Sequence, residues 1–405
     1  MIADFHSLIS PDVGIIHRAD EGLVPYDHPR IASWFAQACD IGRVLGAGPP
    51  GNTGGAAAGR QDARQAAIGE AVERYSACHM PESQVRLARE ADLLDDAMVV
   101  GPDWRDGLDV GETLHWVRGS LLRSRATAIG CWLPAHRVYL NGIDDDRGIW
   151  TATSNGLACH TDPWRALRSA LLEVIERDAV MVSWHTRSAV TKIECDLRWQ
   201  DVGRPSVRFD LAVESYSLYL LDSPLDIPVV LAVARGSRGQ PAAAVGAAAN
   251  PRLHLAARKA LIECQQTFAW ARLMLAEDRP IPDAHEITEL EQHVAHYVDP
   301  AHLGAFDYLE RDFGRLPVRL TLTDPGGPPQ DPRRDVDDLL DRAAAAGLDC
   351  CCVDVTAPDV REAGAWVVRA VVPGLYPLTV GAEHRMRHPR VAGRLPVIPT
   401  PHPFP

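Results

Sequence analysis

The sequence predicts an α/β protein in which long helices cover mixed β-sheets, and two observations carry that prediction. The first is one helical pattern written three times, A-x-x-x-A-x-x-E-x-x-[E/Q]. It runs through Ala63, Ala67, Glu70 and Glu73, then Ala166, Ala170, Glu173 and Glu176, then Ala256, Ala260, Glu263 and Gln266. The second is what surrounds the copies. Each follows small or turn-forming residues, GNTGGAAAG from Gly51, SNGLACHTDP from Ser154 and GAAANP from Gly246, and strand-like apolar stretches lie between them. Strands alternating with loop-helix units build layers of sheet and helix.

Taken in order, residues 1–48 read as an extension, with a strand around Val13 to Ile16 and a helix over Ile31 to Cys39, closed by Pro49 and Pro50. The first loop and helix run to about Met80. LHWVRGSLL and ATAIGCWLPAHRVYL, between Leu114 and Leu140, have the Trp, Val, Ile and Tyr content of a sheet. An acidic turn from Gly142 to Gly148 precedes the second unit, whose helix opens at Pro163 and stays apolar to Trp184. SLYLLDSPLDIPVVLAVARG reads as two strands joined at Ser223 and Pro224. Residues 278–317 read as helical. TDPGGPPQDPRRD is a Pro/Gly-rich loop before a helix from Val336 to Ala346, and LDCCCVDVTAPDV and AWVVRAVVPGLYPL are buried strands ending at Pro373 and Gly374.

The last stretch, LPVIPTPHPFP, alternates Pro399, Pro401, Pro403 and Pro405, which favours a stiff, extended chain without internal hydrogen bonds. Most Pro-rich ends are disordered tails. The sharper reading is that His402 and Phe404 dock this one and bring the carboxylate of Pro405 to a site, since a pre-extended segment loses little entropy on docking.

A chain of 405 residues exceeds one small core, so two or three sub-domains or one large α/β domain are expected. The formal net charge of −13, without a Lys/Arg cluster, speaks against wholesale binding to nucleic acid or an anionic membrane. MIADFHSLISPDVG lacks the basic-then-apolar order of a secretory signal, and no run approaches eighteen apolar residues, so a cytoplasmic location is expected. The nine cysteines include no C-x-x-C pair. Cys350, Cys351 and Cys352 are consecutive in an apolar run, where neighbours on a strand face opposite ways; neither disulfides nor structural zinc are expected.

Acidic residues three apart on a helix share a face and repel, by a few tenths of a kcal/mol when exposed and more when buried. A single ExxER is most simply a solvated face with arginine as its intrahelical partner. Two of them, Glu70-x-x-Glu73-Arg74 and Glu173-x-x-Glu176-Arg177, plus a Glu263/Gln266 pair with matching alanines, point to an external cation. Magnesium fits, because it takes oxygens from carboxylates and nucleotide phosphates together.

The triple pattern and the tail resemble the YcaO superfamily, and within it the azoline-forming cyclodehydratases of ribosomal-peptide biosynthesis. GEAVERYSA, TSNGLA with LLEVIERDA, KALIECQQ, VDVTAPDV, VVRAVVPGLYPL and PHPFP carry the resemblance from about residue 50 to the end, and SPDVGII looks similar too. It implies a YcaO-type fold with a catalytic domain over 49–405, ending in the tail 399–405, and 1–48 as an extension. It also implies ATP and Mg2+ as cofactors. The reaction that the resemblance implies is one in which a Cys, Ser or Thr of a ribosomal precursor peptide would attack the preceding amide carbonyl, the oxyanion would take the γ-phosphoryl group of ATP, and loss of phosphate would leave a thiazoline or oxazoline.

Carried across, Glu70, Glu73, Glu173 and Glu176 would hold magnesium, with Glu263 a further carboxylate at the nucleotide. Arg74 and Arg177 would contact phosphate or orient the carboxylates. Ser154, Asn155 and Gln266 would contact nucleotide, and the Pro405 carboxylate would order the site or handle protons. The family often has Gly-Lys-Gly before the first helix, a serine four residues before the first glutamate and a carboxylate before the second alanine stripe; this chain has Ala56, Ala66 and Arg165 there. No cysteine-zinc or winged-helix-like segment is evident ahead of residue 50. Leader recognition is therefore expected from a separate ThiF-like or ubiquitin-activating-enzyme-like partner, and a homodimer is expected. Two alternatives remain: another nucleophile, giving a thioamide or amidine, against which PHPFP speaks, and a non-catalytic scaffold, against which the repelling carboxylates speak.

Overall fold

The computed structural model describes residues 5–22, 31–45, 52–57, 59–93, 98–99, 111–123, 127–140, 153–197, 212–323, 331–381, 388–394 and 400–404. Strands β1 (Ile16–Glu21), β2 (Ala32–Ala38) and β3 (Asn52–Ala57) form an antiparallel sheet in that order, with the short helix α1 (Ile41–Leu45) between β2 and β3. Helix α2 (Arg60–Cys78) follows. A seven-stranded sheet collects β4 (Val85–Arg89), β5 (Met98–Val99), β6 (Thr113–Arg123), β7 (Thr127–Pro134) and β8 (Leu157–His160) with two strands from the end of the chain, β14 (Cys350–Asp354) and β15 (Trp366–Val371). A five-stranded sheet holds β9 (Thr191–Glu194), β10 (Val213–Leu221), β11 (Val229–Gly236), β12 (Ala243–Ala249) and β13 (Val318–Arg319). The remaining helices are α3 (Pro163–Thr186), α4 (Leu253–Ala276), α5 (Leu290–His296), α6 (Pro332–Ala345) and α7 (Pro358–Glu362).

Helix α3 runs between the two large sheets, which explains why it is apolar almost all round. Its side chains share one core with Val368 and Ala370 of β15 and with Val229, Leu231 and Val233 of β11. The alternate residues of β11, Val230, Ala232 and Ala234, pack instead with α4. A strand covered on both faces reads as an unbroken apolar run, as VVLAVA does. On the far side of the seven-stranded sheet, α2 shares a core with Val117, Leu121, Cys351 and Val367. Cys350 faces the α3 core and Cys351 the α2 core, and all nine cysteines are free.

The sequence predicts a helix over Ile31 to Cys39; the chain there is strand β2, paired with β1 on one edge and β3 on the other. Pairing on both edges outweighs the local pattern. The three small-residue runs are likewise not loops. They contain or end strands β3, β8 and β12, and each unit is strand, tight turn, helix. The small residues are a packing requirement. A Cβ on Gly55 would lie 2.4 Å from the Ala63 carbonyl and 2.3 Å from the Ala67 nitrogen, and one on Gly246 would lie 2.5 Å from the Ala260 carbonyl and 2.1 Å from the Cys264 nitrogen. Strand backbone lies directly on helix backbone, and the buried alanine stripes Ala63/Ala67 and Ala256/Ala260 permit that approach.

Residues 278–317, read as helical, hold only α5 as regular helix, with 3-10 turns over Ala284–Glu286 and Pro300–Glu310. Helix α6 starts at Pro332, four residues earlier than its apolar pattern, because the Asp331 side chain accepts from the Arg333 and Arg334 amides. The acidic turn Gly142 to Gly148 and the terminal Pro405 lie outside the described residues. Among the described residues no helix is long and apolar enough to cross a membrane.

Candidate active site

The three helices bring the last turn of each pattern to one place, and the closing residue of each copy reaches into the next unit. Glu73 of α2 accepts the Cys159 amide of β8 at 2.7 Å. Glu176 of α3 accepts the Ala249 amide at the end of β12 at 3.2 Å. Gln266 of α4 lies over Gly54 of β3, where a Cβ would meet its Nε2 at 2.9 Å. The ring of units thus closes, first onto second, second onto third and third onto first. Within the first unit, Glu70 accepts the Gly54 amide at 3.2 Å and Arg74 Nη2 at 2.6 Å.

Inside this ring the charges conflict. Burial pushes the Glu73 carboxyl well above the usual carboxylate range, and Glu173 and Glu70 add to the rise. Burial raises Glu173 too, against the pull of Arg177, Lys259 and Arg369. Glu176, 4 % exposed, is pushed up to about 7, first by burial and then by Glu263. Burial opposes the charge on Arg177, yet Glu176, Glu173, Glu263 and Glu70 together hold its guanidinium above the ordinary value. Arg177 Nε stands 3.8 Å from Glu176 and 3.9 Å from Glu173, too far for hydrogen bonds, while Lys259 is 3.3 Å from Glu263.

Several buried polar atoms here have no hydrogen-bond partner: Arg74 Nε, Arg177 Nε and Nη1, Arg369 Nε and Asn155 Oδ1. Unpaired buried donors are expensive, and a row of arginine nitrogens beside repelling carboxylates is the donor set that a phosphate chain with a divalent cation completes. Among the described residues no three acidic, His or Cys side chains stand close enough to grip an ion alone. Carboxylates and phosphate oxygens together would have to hold it, the ordinary arrangement for magnesium.

The structure brings Glu70, Glu73, Arg74, Glu173, Glu176, Arg177 and Glu263 into this one electrostatic cluster, with Gln266 at its edge. Asn155 is buried near Arg369, and both line a cleft with Thr153, Val174 and the turn at Pro373. Ser154 is half-buried in the turn before β8, where its carbonyl accepts the Leu157 amide. Pro405 is outside the described residues, but its neighbour Phe404 is buried with its ring 5.4 Å from the Arg177 guanidinium. The tail therefore docks at the cluster, at least as far as Phe404.

Sequence reasoning missed Arg369. It lies on β15, 6 % exposed, donates to the Thr153 carbonyl at 2.8 Å, and is drawn by burial down to about 10 despite Glu173. The signal was the lone charge in AWVVRAVV, since a buried arginine is rarely without an acidic or ligand partner.

A family model described as YcaO cyclodehydratase, ATP- and Mg2+-binding, matches residues 54–376. Among solved structures, a heterocyclase in complex with substrate and cofactor superimposes with a TM-score of 0.70 at 19 % identity, covering 98 % of this chain and 56 % of that one. The chain thus spans a little over half the length of that heterocyclase. YcaO from Methanopyrus kandleri, bound with AMPPCP and Mg2+, matches with a TM-score of 0.65 at 21 % identity over 89 % of this chain and 86 % of that one. The E. coli microcin synthetase McbBCD complex with pro-MccB17 bound gives 0.63 at 16 % identity over 96 % of both chains. At these identities the likeness is one of fold.

Proposed function

Because the chain belongs to the YcaO family, which binds ATP and Mg2+, we propose that it is an ATP-dependent cyclodehydratase acting on a ribosomal precursor peptide. The observation that carries this reading is the cluster of five carboxylates from three helices, set against arginine nitrogens that no protein atom satisfies. Glu70, Glu73, Glu173 and Glu176 would hold the magnesium, Glu73 and Glu176 each with one oxygen beyond the one that accepts an amide, and Glu263 would complete the ring. Arg74 and Arg177 lie along phosphate, and Gln266, Ser154 and Asn155 contact the nucleotide. When bound, the magnesium nucleotide supplies a phosphoryl group that makes an amide oxygen a good leaving group. The chain's own residues position the partners and neutralise charge.

In the reaction a Cys, Ser or Thr side chain gives up its proton and adds to the carbonyl carbon of the preceding amide, the oxyanion takes the γ-phosphoryl group of ATP with ADP as leaving group, and phosphate then departs as the amide nitrogen loses its proton and the C=N bond forms. The ring product has lost one water. The cleft beside Arg369 and Asn155 borders the cluster. We assign the catalytic domain to 49–405 and the extension to 1–48, with β1 and β2 of the extension completing the sheet that carries β3. A separate leader-binding protein and a second copy of this chain are its expected partners. Mass spectrometry of a precursor peptide incubated with the chain, a leader-binding partner and ATP tests the reading: a loss of one water per ring supports it. ATP consumption with a different mass change would transfer the cluster to another nucleophile.

A further inference from the structure

The tail is gripped in a way its prolines dictate. Pro401 and Pro403 have no N–H, so the backbone offers mainly carbonyls. Three consecutive carbonyls are each held by a ring donor: Thr400 by Trp184 Nε1 at 3.2 Å, Pro401 by the Tyr297 hydroxyl at 2.5 Å, and His402 by His293 Nδ1 at 2.7 Å. His293 and His402, both with 0 % exposure, stack with ring centroids 3.8 Å apart and planes 8° from parallel.

The hydrogen bonds fix both tautomers. His293 Nε2 accepts the Gly381 amide at 3.0 Å, so its proton is on Nδ1 and goes to the His402 carbonyl. His402 Nδ1 accepts the Phe404 amide at 3.3 Å, so its proton is on Nε2 and goes to the Thr379 carbonyl at 2.5 Å. Each ring is neutral, with one donor and one acceptor, all used. A second proton on either ring would be aimed at a backbone N–H. The charged and titratable groups around the pair do not help one in: Arg177 and His185 of α3 face His402, and His296 of α5 is beside His293. Asp178 of α3 gives both oxygens to Arg390, at 2.9 and 2.5 Å.

We propose that His293 and His402 are positioning residues: a stacked pair of neutral imidazoles of opposite tautomer that clasps the chain from Thr400 to Phe404 and so holds Phe404 on Arg177 of the carboxylate cluster. The clasp acts through the tail and touches neither substrate nor nucleotide. Its catalytic consequence rests on the cyclodehydratase reading; its existence does not.

His293→Phe keeps a flat ring in the stack but removes both hydrogen bonds, His293→Asn keeps the donor at the Nδ1 position, and His402→Gln keeps a donor toward Thr379. In His293→Phe, amide exchange of the peptide 400–405 should quicken at least tenfold. The kcat should fall at least tenfold with KM for ATP within twofold, and His293→Asn should recover part of both. If His293→Phe does not fold, His402→Gln carries the same comparison with a smaller loss. Imidazole nitrogen spectra of the wild-type chain should show one Nδ1–H and one Nε2–H ring, both titrating well below the ordinary histidine value. Two rings of the same tautomer, or two that titrate near the ordinary histidine value of about 6.5, would overturn the clasp. A tail freed in exchange but with wild-type kcat would overturn its positioning role. Failure of the wild-type chain to form rings would count against the reaction, while exchange and tautomers still decide the clasp.

Discussion

Helix α3 carries two buried polar regions that are satisfied in opposite ways. Around Arg177, carboxylates from three helices face one another and arginine nitrogens lack partners. Two turns further on, beside Trp184, every ring nitrogen of His293 and His402 has a backbone partner. The histidine pair is the deeper of the two, fully buried while the Arg177 and Glu173 side chains keep 17 % and 27 % exposure, so depth of burial does not mark function. What separates them is whether the chain completes its own hydrogen bonds: a completed region needs nothing more, and a conflicted one needs a ligand that brings the opposite charge and the missing acceptors.

The largest test of that contrast is Glu173→Gln. Glutamine keeps the shape and removes a charge that the free chain holds at a cost, so ATP consumption should fall at least a hundredfold, about 2.7 kcal/mol of transition-state stabilisation, while thermal stability stays level or rises. ADP release and a melting curve on the same preparation check both. A variant that melts well below the wild type would mean that the carboxylate serves the fold and that the two regions do not differ.

A steric control follows, with a purely structural effect. Gly246→Ala puts a Cβ 2.1 Å from the Cys264 nitrogen, so β12 and α4 must separate. Overpacking of this kind costs about 1–3 kcal/mol, read as a lower urea midpoint. Because α4 also carries Glu263 and Gln266, activity should fall with stability here, the coupling that Glu173→Gln lacks.

The two regions also titrate in opposite directions. Glu176 is pushed up to about 7 by burial and Glu263, so the folded chain holds a proton that the unfolded chain has released, and stability is lost as pH rises from about 4.5 to about 7. His293 is pushed down to about 4 by burial, so its contribution is present above pH 6.5 and lost as pH falls toward 4. Each effect is worth up to about 3 kcal/mol at 1.4 kcal/mol per pH unit. The two windows overlap, so in the wild type the opposing slopes largely cancel and urea melts from pH 4 to 8 should show a broad, low plateau. Glu176→Gln should remove the alkaline loss and unmask a rise in stability toward pH 6.5, and Mg2+ with a non-hydrolysable ATP analogue should do the same. Loss of both slopes together in one variant would join the regions into one network.

How much of this was legible follows from what each signal depends on. The alanine stripes and glutamate spacings are helix geometry, and they located α2, α3 and α4. The residues before them read as loops because Gly and Ala are poor strand formers; they are strands because only such residues let β3 and β12 lie on helix backbone, a tertiary demand invisible in propensity. Arg369 reaches the cluster from β15, about two hundred residues from the second helix, and only the sheet pairing of β15 with β8 places it there. His293 carried no pattern at all, because its partners are backbone atoms of distant segments. His402 and Phe404 were singled out by their prolines, whose missing N–H groups explain why the tail is held by its carbonyls.

The smallest expected effect lies where the two regions meet. Phe404 is buried in the α3 core with its ring face toward Arg177, 5.4 Å from the guanidinium. A desolvated cation–π contact is worth about 1–2 kcal/mol, yet Arg177 also has four glutamates to hold its charge, so the ring fixes where the guanidinium points more than whether it is charged. Phe404→Leu keeps apolar volume and removes the π face. The expected result is a threefold to tenfold lower kcat with KM for ATP nearly unchanged and tail exchange at the wild-type rate, because the His293–His402 pair is intact. Phe404→Tyr, which restores the face, should recover most of the loss. If leucine instead frees the tail, Phe404 is an anchor of the clasp and no bridge between the regions; if it changes nothing, the glutamates alone orient Arg177.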